Sequence, residues 1–190
     1  MQPTAPLAMV ADRVESLPLE DFDELVRLYW TRVFRFALAS LRDQDAAGTV
    51  AQDCFLKAHH ARQRFRGECS VGTWLMRIAV NLVRDQYRNR RIQFWKRTRA
   101  SAPDLDAVSR SVADRGVSPE EKALMKEQVE AVWRATERLP EKQRTVFLLR
   151  FVEDLDLLEI AAATGMKEGT VKTHLFRATE AIRRRLGVIA

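Results

Sequence analysis

An all-α fold of two small helical domains joined by a flexible linker, the C-terminal one a helix-turn-helix, is what this 190-residue sequence predicts, and three observations predict it. Apolar residues recur at intervals of three and four almost throughout. No comparable run alternates apolar with polar residues as a half-buried strand would. Residues 100–117 hold Pro103 and Gly116, few large apolar side chains and no sustained period, which are the marks of a linker. With 46% hydrophobic and 31% charged residues, the chain can build modest cores, and a collagen-like, disulfide-stapled or wholly disordered chain is excluded.

The first helix opens at Phe22 and sets Phe22, Leu25, Val26, Tyr29, Val33, Ala37 and Leu41 along one stripe. A second starts with Asp45 as N-cap and turns Val50, Cys54, Phe55 and Ala58 inward. Its pattern breaks from Gln63 to Cys69, where Gly67 marks a turn. A third helix begins near Ser70. Trp74, Ile78 and Leu82 define its core side, Leu75, Ala79 and Val83 widen the stripe, and Arg77, Asn81, Arg84 and Arg88 fall opposite. Beyond the linker, Ser118-Pro119-Glu120-Glu121 reads as an N-cap followed by proline at the first helical position. That helix runs to about Arg138 with Leu124, Val129, Val132 and Trp133 inward. Leu139-Pro140-Glu141 resets the chain, and Val146, Phe147, Leu149 and Phe151 form the next apolar face.

The last segment carries the most chemistry. Asp156 and Glu159 have the spacing of a capping box, and the short helix through Ile160, Ala161, Ala162 and Ala163 stops at Thr164-Gly165. After a short turn, Lys167-Glu168-Gly169-Thr170 opens a helix whose Val171, Leu175, Ala178 and Ile182 face inward, leaving Lys172, Thr173, Phe176 and Arg177 outward. This is helix-turn-helix spacing with a basic second helix, whose N-terminus suits phosphate oxygens while side chains reach base edges in the major groove. On pattern alone it stands beside a second reading, an ordinary helical bundle with a solvated basic face.

The net charge of +6 favours an anionic partner, and its distribution says more than its sum. Residues 84–99 set seven basic side chains against Asp85 alone, with Tyr87, Phe94 and Trp95 interleaved, and residues 167–187 set six against Glu168 and Glu180. Two separate basic surfaces result. The two cysteines, Cys54 and Cys69, and the lack of a secretory leader pattern point to a reduced, cytoplasmic setting. No apolar run approaches the roughly 18 to 20 residues of a membrane span, so no direct membrane insertion is expected. His59 and His60 are adjacent, so they diverge on a helix, and with Cys54 they lack the spacing of a zinc site. No nucleophile-base constellation, phosphate loop or paired-carboxylate signature appears, so neither an enzyme nor a cofactor is expected.

Residues 139–186, from Leu139-Pro140-Glu141 through Asp156-Leu157-Leu158-Glu159 to Arg185-Leu186, resemble region 4 of bacterial extracytoplasmic-function (ECF) sigma factors of the sigma-70 family. Phe22 to Leu41 and Ala51 to Arg91 resemble their region 2. The pairing is more specific than either half, since region 4 alone is similar to other helix-turn-helix output domains; a stand-alone helix-turn-helix regulator is the alternative. The resemblance implies a subunit that directs core RNA polymerase to promoters and assists melting. It divides the chain into an N-terminal extension (1–20), region 2 (21–99), the linker (100–117) and region 4 (118–190). Fully extended, that linker spans about 60 Å at about 3.3 Å per residue, enough to let two domains reach separated promoter elements.

The same resemblance implies roles. Gln52 and Asp53 match the polymerase-binding positions of region 2, although Gly48 and Thr49 stand where the family often has an acidic pair. Phe65 and Arg66 lie in its specificity loop, and Asn81 falls where the helix lines a pocket for an extruded minus-ten base. A base leaving its stack costs a few kcal/mol, offset by an aromatic surface and polar groups at its edge, jobs that suit Phe65 and Asn81. Arg77, Arg84, Arg88, Arg90 and Arg91 would grip nearby phosphates. Gly169, Thr170, Lys172, Thr173, Phe176 and Arg177 would meet the minus-thirty-five duplex. The partners implied are core RNA polymerase, promoter DNA as duplex and melted strand, and an anti-sigma factor packed between the domains.

Overall fold

A computed structural model describes residues 22–97 and 119–187, so the N-terminal extension, the linker and the cap at Ser118 lie outside the described residues. Seven α-helices occur among them, and no strand: α1 (Phe22–Leu41), α2 (Gln44–Ala61), α3 (Val71–Arg97), α4 (Pro119–Glu137), α5 (Glu141–Phe151), α6 (Leu157–Thr164) and α7 (Glu168–Leu186). A single 3-10 turn, Arg62–Arg64, leads into the loop before α3. The all-α expectation holds.

Local signals account for most boundaries. Ser70 caps α3: its Oγ accepts from the Thr73 backbone N–H at 3.1 Å. The capping box of α6 is complete, with Asp156 Oδ1 accepting from Glu159 N at 2.8 Å and Glu159 Oε2 from Asp156 N at 2.9 Å. Gly165 then ends α6 at φ +71°, a left-handed conformation that costs glycine nothing. The cap of α2 is Asp43, two residues before the expected Asp45. Arg42 adopts φ +55° and reverses the chain, so the next residue is the extended one whose Oδ1 can accept from Ala46 N, at 2.9 Å. Asp45 instead sits in the first turn, where its charge favours the helix N-terminus.

The first three helices pack as a bundle around Val33, Phe36, Val50, Cys54, Leu75 and Met76, all fully buried. The α3 stripe is centred on Leu75, Ala79 and Val83 with Met76, while Trp74 and Ile78 lie half-buried at its edge. Gly72 is what lets α1 and α3 approach: a Cβ there would lie 3.0 Å from a Tyr29 ring carbon and 3.1 Å from Arg32 Nη1. In the second half, α4, α5 and α6 pack on α7. Ala135, Leu139, Ala178 and Ile182 form one small cluster.

Two expected core residues are exposed. Val129 is exposed because the inward face of α4 turns Ala135 and Thr136 toward α7 instead. Phe151 lies on the flank of α5 against Phe147, with ring centroids 4.7 Å apart, because Leu148, Leu149 and Leu155 already fill the interior.

The larger cluster runs without a break from the first half into Val146, Leu148, Leu149, Leu155, Ile160, Ala163 and Val171 of the second. The two halves therefore close on each other, α3 against α6 and α1 against α5.

Asp156→Ala is expected to cost about 1 kcal/mol of stability, read as a lower urea midpoint at unchanged m-value. Gly72→Ala forces a contact that Tyr29 and Arg32 must yield to, and a loss of about 1–3 kcal/mol is expected in the same measurement.

Candidate nucleic-acid interface

Two exposed basic surfaces lie on separate helices. On α7, Val171, Ala178 and Ile182 are buried, whereas Thr170, Lys172, Thr173, Phe176 and Arg177 are exposed, with Gly169 beside them. Phe176 is 66% exposed, an unusual position for a large apolar side chain on a helix with a filled interior. Lys167 stands at the N-cap without capping the helix, so the first N–H groups of α7 receive no bond from its side chain. Lys172 is tied to Glu168 at 2.7 Å across one turn, a half-exposed pair that is easily broken. Arg183, Arg184 and Arg185 continue the positive charge along the last turn, where it also suits the helix C-terminus.

His174 points between these faces. Its Nδ1 is buried and has no hydrogen-bond partner among the described residues. Burial, followed by the charges of Lys142 and Arg177, pushes its pKa below the ordinary histidine value, so the ring is neutral at neutral pH.

The other surface follows α3. Arg77, Asn81, Arg84 and Arg88 are exposed along one side, as the periodicity predicts. Asn81 Oδ1 accepts from Arg84 Nη2 at 2.9 Å, and Arg88 pairs with Asp85 at 3.2 Å. Arg90 and Arg91 continue α3, but their side chains lie outside the described residues, as do those of Phe94 and Trp95. In the preceding loop Gly67 adopts φ +69° and Arg66 is exposed. Phe65 is half-buried, and its ring packs on Trp74 with centroids 4.9 Å apart and planes tilted by 41°. Asn81 stands seven residues beyond Trp74 and so, contrary to the expected opposition of the two, on the same side of α3, about 10 Å along it at 1.5 Å per residue. The pairing of Phe65 with Trp74 has no counterpart in the linear spacing, since the loop between them decides it.

Gln52 is exposed and Asp53 half-exposed on α2, on the side away from Cys54. Burial of Cys54 pushes its thiol up to about 12, partly offset by Lys57, so it is a packing residue. Cys69 is half-exposed in the loop, and there too burial raises the thiol pKa. His59 lies edge-on to Phe22 at 5.0 Å. Among the described residues no group of histidine, cysteine and carboxylate side chains is disposed to hold a metal ion, and no helix is long and apolar enough to cross a membrane.

Comparison with known proteins turns these surfaces into an assignment. The family models for Sigma-70 region 2 and Sigma-70, region 4 match residues 25–92 and 129–182. The ECF RNA polymerase sigma factor SigW of Bacillus subtilis is 30% identical over 182 residues, covering 94% of this chain and 97% of that one. The chain is an ECF sigma factor of the sigma-70 family. Consistently, the ECF RNA polymerase sigma-E factor of Escherichia coli K12 is 33% identical over 180 residues, 92% of this chain and 91% of its own. The fold is that of the sigma factor RpoE of Bartonella quintana, solved in complex with the anti-sigma factor NepR: TM-score 0.69 at 21% identity, covering 90% of this chain and 99% of that one.

This sigma factor is accordingly a promoter-specific transcription initiation factor that works with core RNA polymerase and promoter DNA. The stand-alone regulator considered on sequence grounds leaves the region 2 match unexplained.

The native sigma factor is expected to react with one equivalent of a thiol reagent, at Cys69, and with a second only after denaturation. Because the Cys69 pKa is raised, less thiolate is present at neutral pH, and its rate should climb through a higher pH range than that of a free cysteine.

Proposed function

We propose that the two basic surfaces divide promoter recognition, residues 118–190 reading the minus-thirty-five duplex and residues 21–99 binding the minus-ten element as it opens. The observation that carries this is the split on α7: the side chains that hold the helix in place are not those it presents, so a row from Gly169 to Arg177 is free for another molecule. Arg177 and Lys172 have the reach to meet guanine edges or phosphates, Thr170 is a hydroxyl donor, Thr173, whose hydroxyl donates to Gly169 O at 2.9 Å, offers an acceptor, and Phe176 offers an apolar face to a thymine methyl group.

At the other surface Arg66, Arg77, Arg84, Arg88 and Arg91 supply cations for a displaced strand. The Phe65 ring, backed by Trp74, is a stacking platform for a base. Asn81 offers both a donor and an acceptor to a base edge, provided Arg84 releases it. The separation along α3 assigns the platform and Asn81 to neighbouring nucleotides of one strand. Gln52 and Asp53 are assigned to core polymerase on their match to region 2 and their exposure on α2. The sigma factor RpoE is held by NepR and CnrH by the cytosolic domain of CnrY, and an anti-sigma partner is the corresponding expectation for this chain. The protein breaks no bond itself, and it acts in the cytoplasm.

Run-off transcription with core polymerase tests the whole reading: promoter-dependent initiation is expected, and its failure on every genomic fragment would overturn it. Asn81→Ala should lose discrimination between matched and altered minus-ten sequences while still binding polymerase, a result read by competition for core enzyme. Arg177→Ala should weaken the minus-thirty-five footprint by about 1–3 kcal/mol if it contacts a base, or flatten the salt dependence if it contacts phosphate.

A further inference from the structure

One histidine belongs neither to the core nor to the row that α7 presents. His174 stands three residues beyond the buried Val171 and three before the exposed Arg177, at the border of the two faces of α7. Its Nδ1 is closed off from solvent and meets no hydrogen-bond partner among the described residues. A neutral ring suits that position best, with the bare lone pair on Nδ1 and the proton on Nε2, which is not closed off. Adding a proton would bury an N–H with nothing to receive it, at a cost in free energy.

Its surroundings are cationic. Among the described residues the charges that act on the ring are Lys142, exposed in the first turn of α5, and Arg177, one turn on along α7. The helices α4 and α6, which also pack on α7, bring no charge to bear on it, and neither does the exposed Glu141 beside Lys142. The start of α5 adds a third positive element. Pro140 occupies its N-cap and offers no side-chain acceptor, so the first N–H groups stay available to an anion next to Lys142.

We propose that Lys142, His174 and the start of α5 form a backbone-phosphate site that extends the α7 row onto α5, and that His174 takes up a proton from solvent when a phosphate of the minus-thirty-five duplex seats there. This rests on the reading of α7 as the duplex-binding helix, and goes beyond it by adding a second helix and a dependence on pH. A seated phosphate cancels the repulsion of Lys142 and Arg177 and becomes the counterion of the imidazolium, while the unpaired Nδ1–H still counts against the proton. The ring therefore holds its proton more tightly with DNA than without. Affinity is flat at pH well above the bound-state pKa and rises as pH falls through it. The rise ends below the free-state pKa, which burial, Lys142 and Arg177 keep under the ordinary histidine value.

The test uses holoenzyme assembled from the full chain and core polymerase, bound to a promoter fragment that supports run-off transcription, at about pH 7.5 and about pH 5.5. The chain with His174 should gain about tenfold in affinity on acidification if the phosphate lifts the ring's pKa by about one. His174→Gln keeps an N–H donor but cannot take a proton, so it should match the unmodified chain at the higher pH and lack its gain at the lower. Comparing the two cancels whatever acid does to the polymerase itself. Lys142→Gln, at an exposed position, should lower the slope of log affinity against log salt by about one. Replacing chloride with inorganic phosphate at equal ionic strength should leave the gain in place.

Equal gains for His174 and His174→Gln would overturn the proton uptake, and an unchanged salt slope in Lys142→Gln would overturn the phosphate site. Loss of the gain in inorganic phosphate would make the free ion the ligand and overturn the assignment to DNA. Failure of the unmodified chain to initiate on any fragment would strike the promoter reading instead, before either variant is compared.

Discussion

A carboxylate removed from water has to be met by cations and donors, and in this protein the demand is met from the other half of the chain. Glu153 is fully buried, and the groups that compensate it, Arg32 and Arg35, are 121 and 118 residues away in sequence. Removing the partners of such a group typically costs about 3–5 kcal/mol, whereas the intact cluster adds little over a well-packed apolar substitute. Its worth is in orientation. A greasy contact tolerates sliding; a carboxylate gripped at both oxygens and at its own backbone carbonyl does not. That anchor ties α1 to the turn after α5, beside the apolar core that the two halves share.

Around it, the packing is arranged to make room. Gly72 has no side chain where Arg32 passes, Arg42 and Asp154 accept left-handed backbone at the two chain reversals beside the contact, and Leu148, Leu149 and Leu155 wall off solvent. Non-glycine residues in that conformation cost of order 1–2 kcal/mol each, a cost offset by what the reversals position. Arg42 meets Glu137 and Trp133, and Asp154 meets Arg150.

Much of the helical framework was legible because its signals are local. The stripe of α1, the start of α3 near Ser70, the capping box of α6, the glycine stop at Gly165 and the two faces of α7 each need only a few neighbouring residues to be recognised. What was illegible depends on partners distant in sequence. Phe36, seven residues beyond Tyr29, lies on the same stripe and is fully buried where α2, α3 and α5 cover α1; the spacing alone does not show how many neighbours that face meets. Val129 and Phe151 look like core by spacing and are exposed because Ala135 and Thr136 on α4, and Leu148, Leu149 and Leu155 around α5, take the inward places. Asp43 displaced Asp45 as a cap because the preceding residue turns left-handed, a choice that two aspartates in one turn leave open. The same holds at the candidate interface: the exposure of Arg77, Asn81 and Arg84 follows from periodicity, whereas the backing of Phe65 by Trp74 and the burial of Glu153 have no local signature.

The two sides of α7 share no residue, and this has an evolutionary reading. Val171, Ala178 and Ile182 answer to the fold, while Thr170, Lys172, Thr173, Phe176 and Arg177 answer to whatever lies outside. Substitutions in the outer row can accumulate without taxing folding, so a duplicated copy of such a gene is free to drift toward new partners long before its scaffold must change.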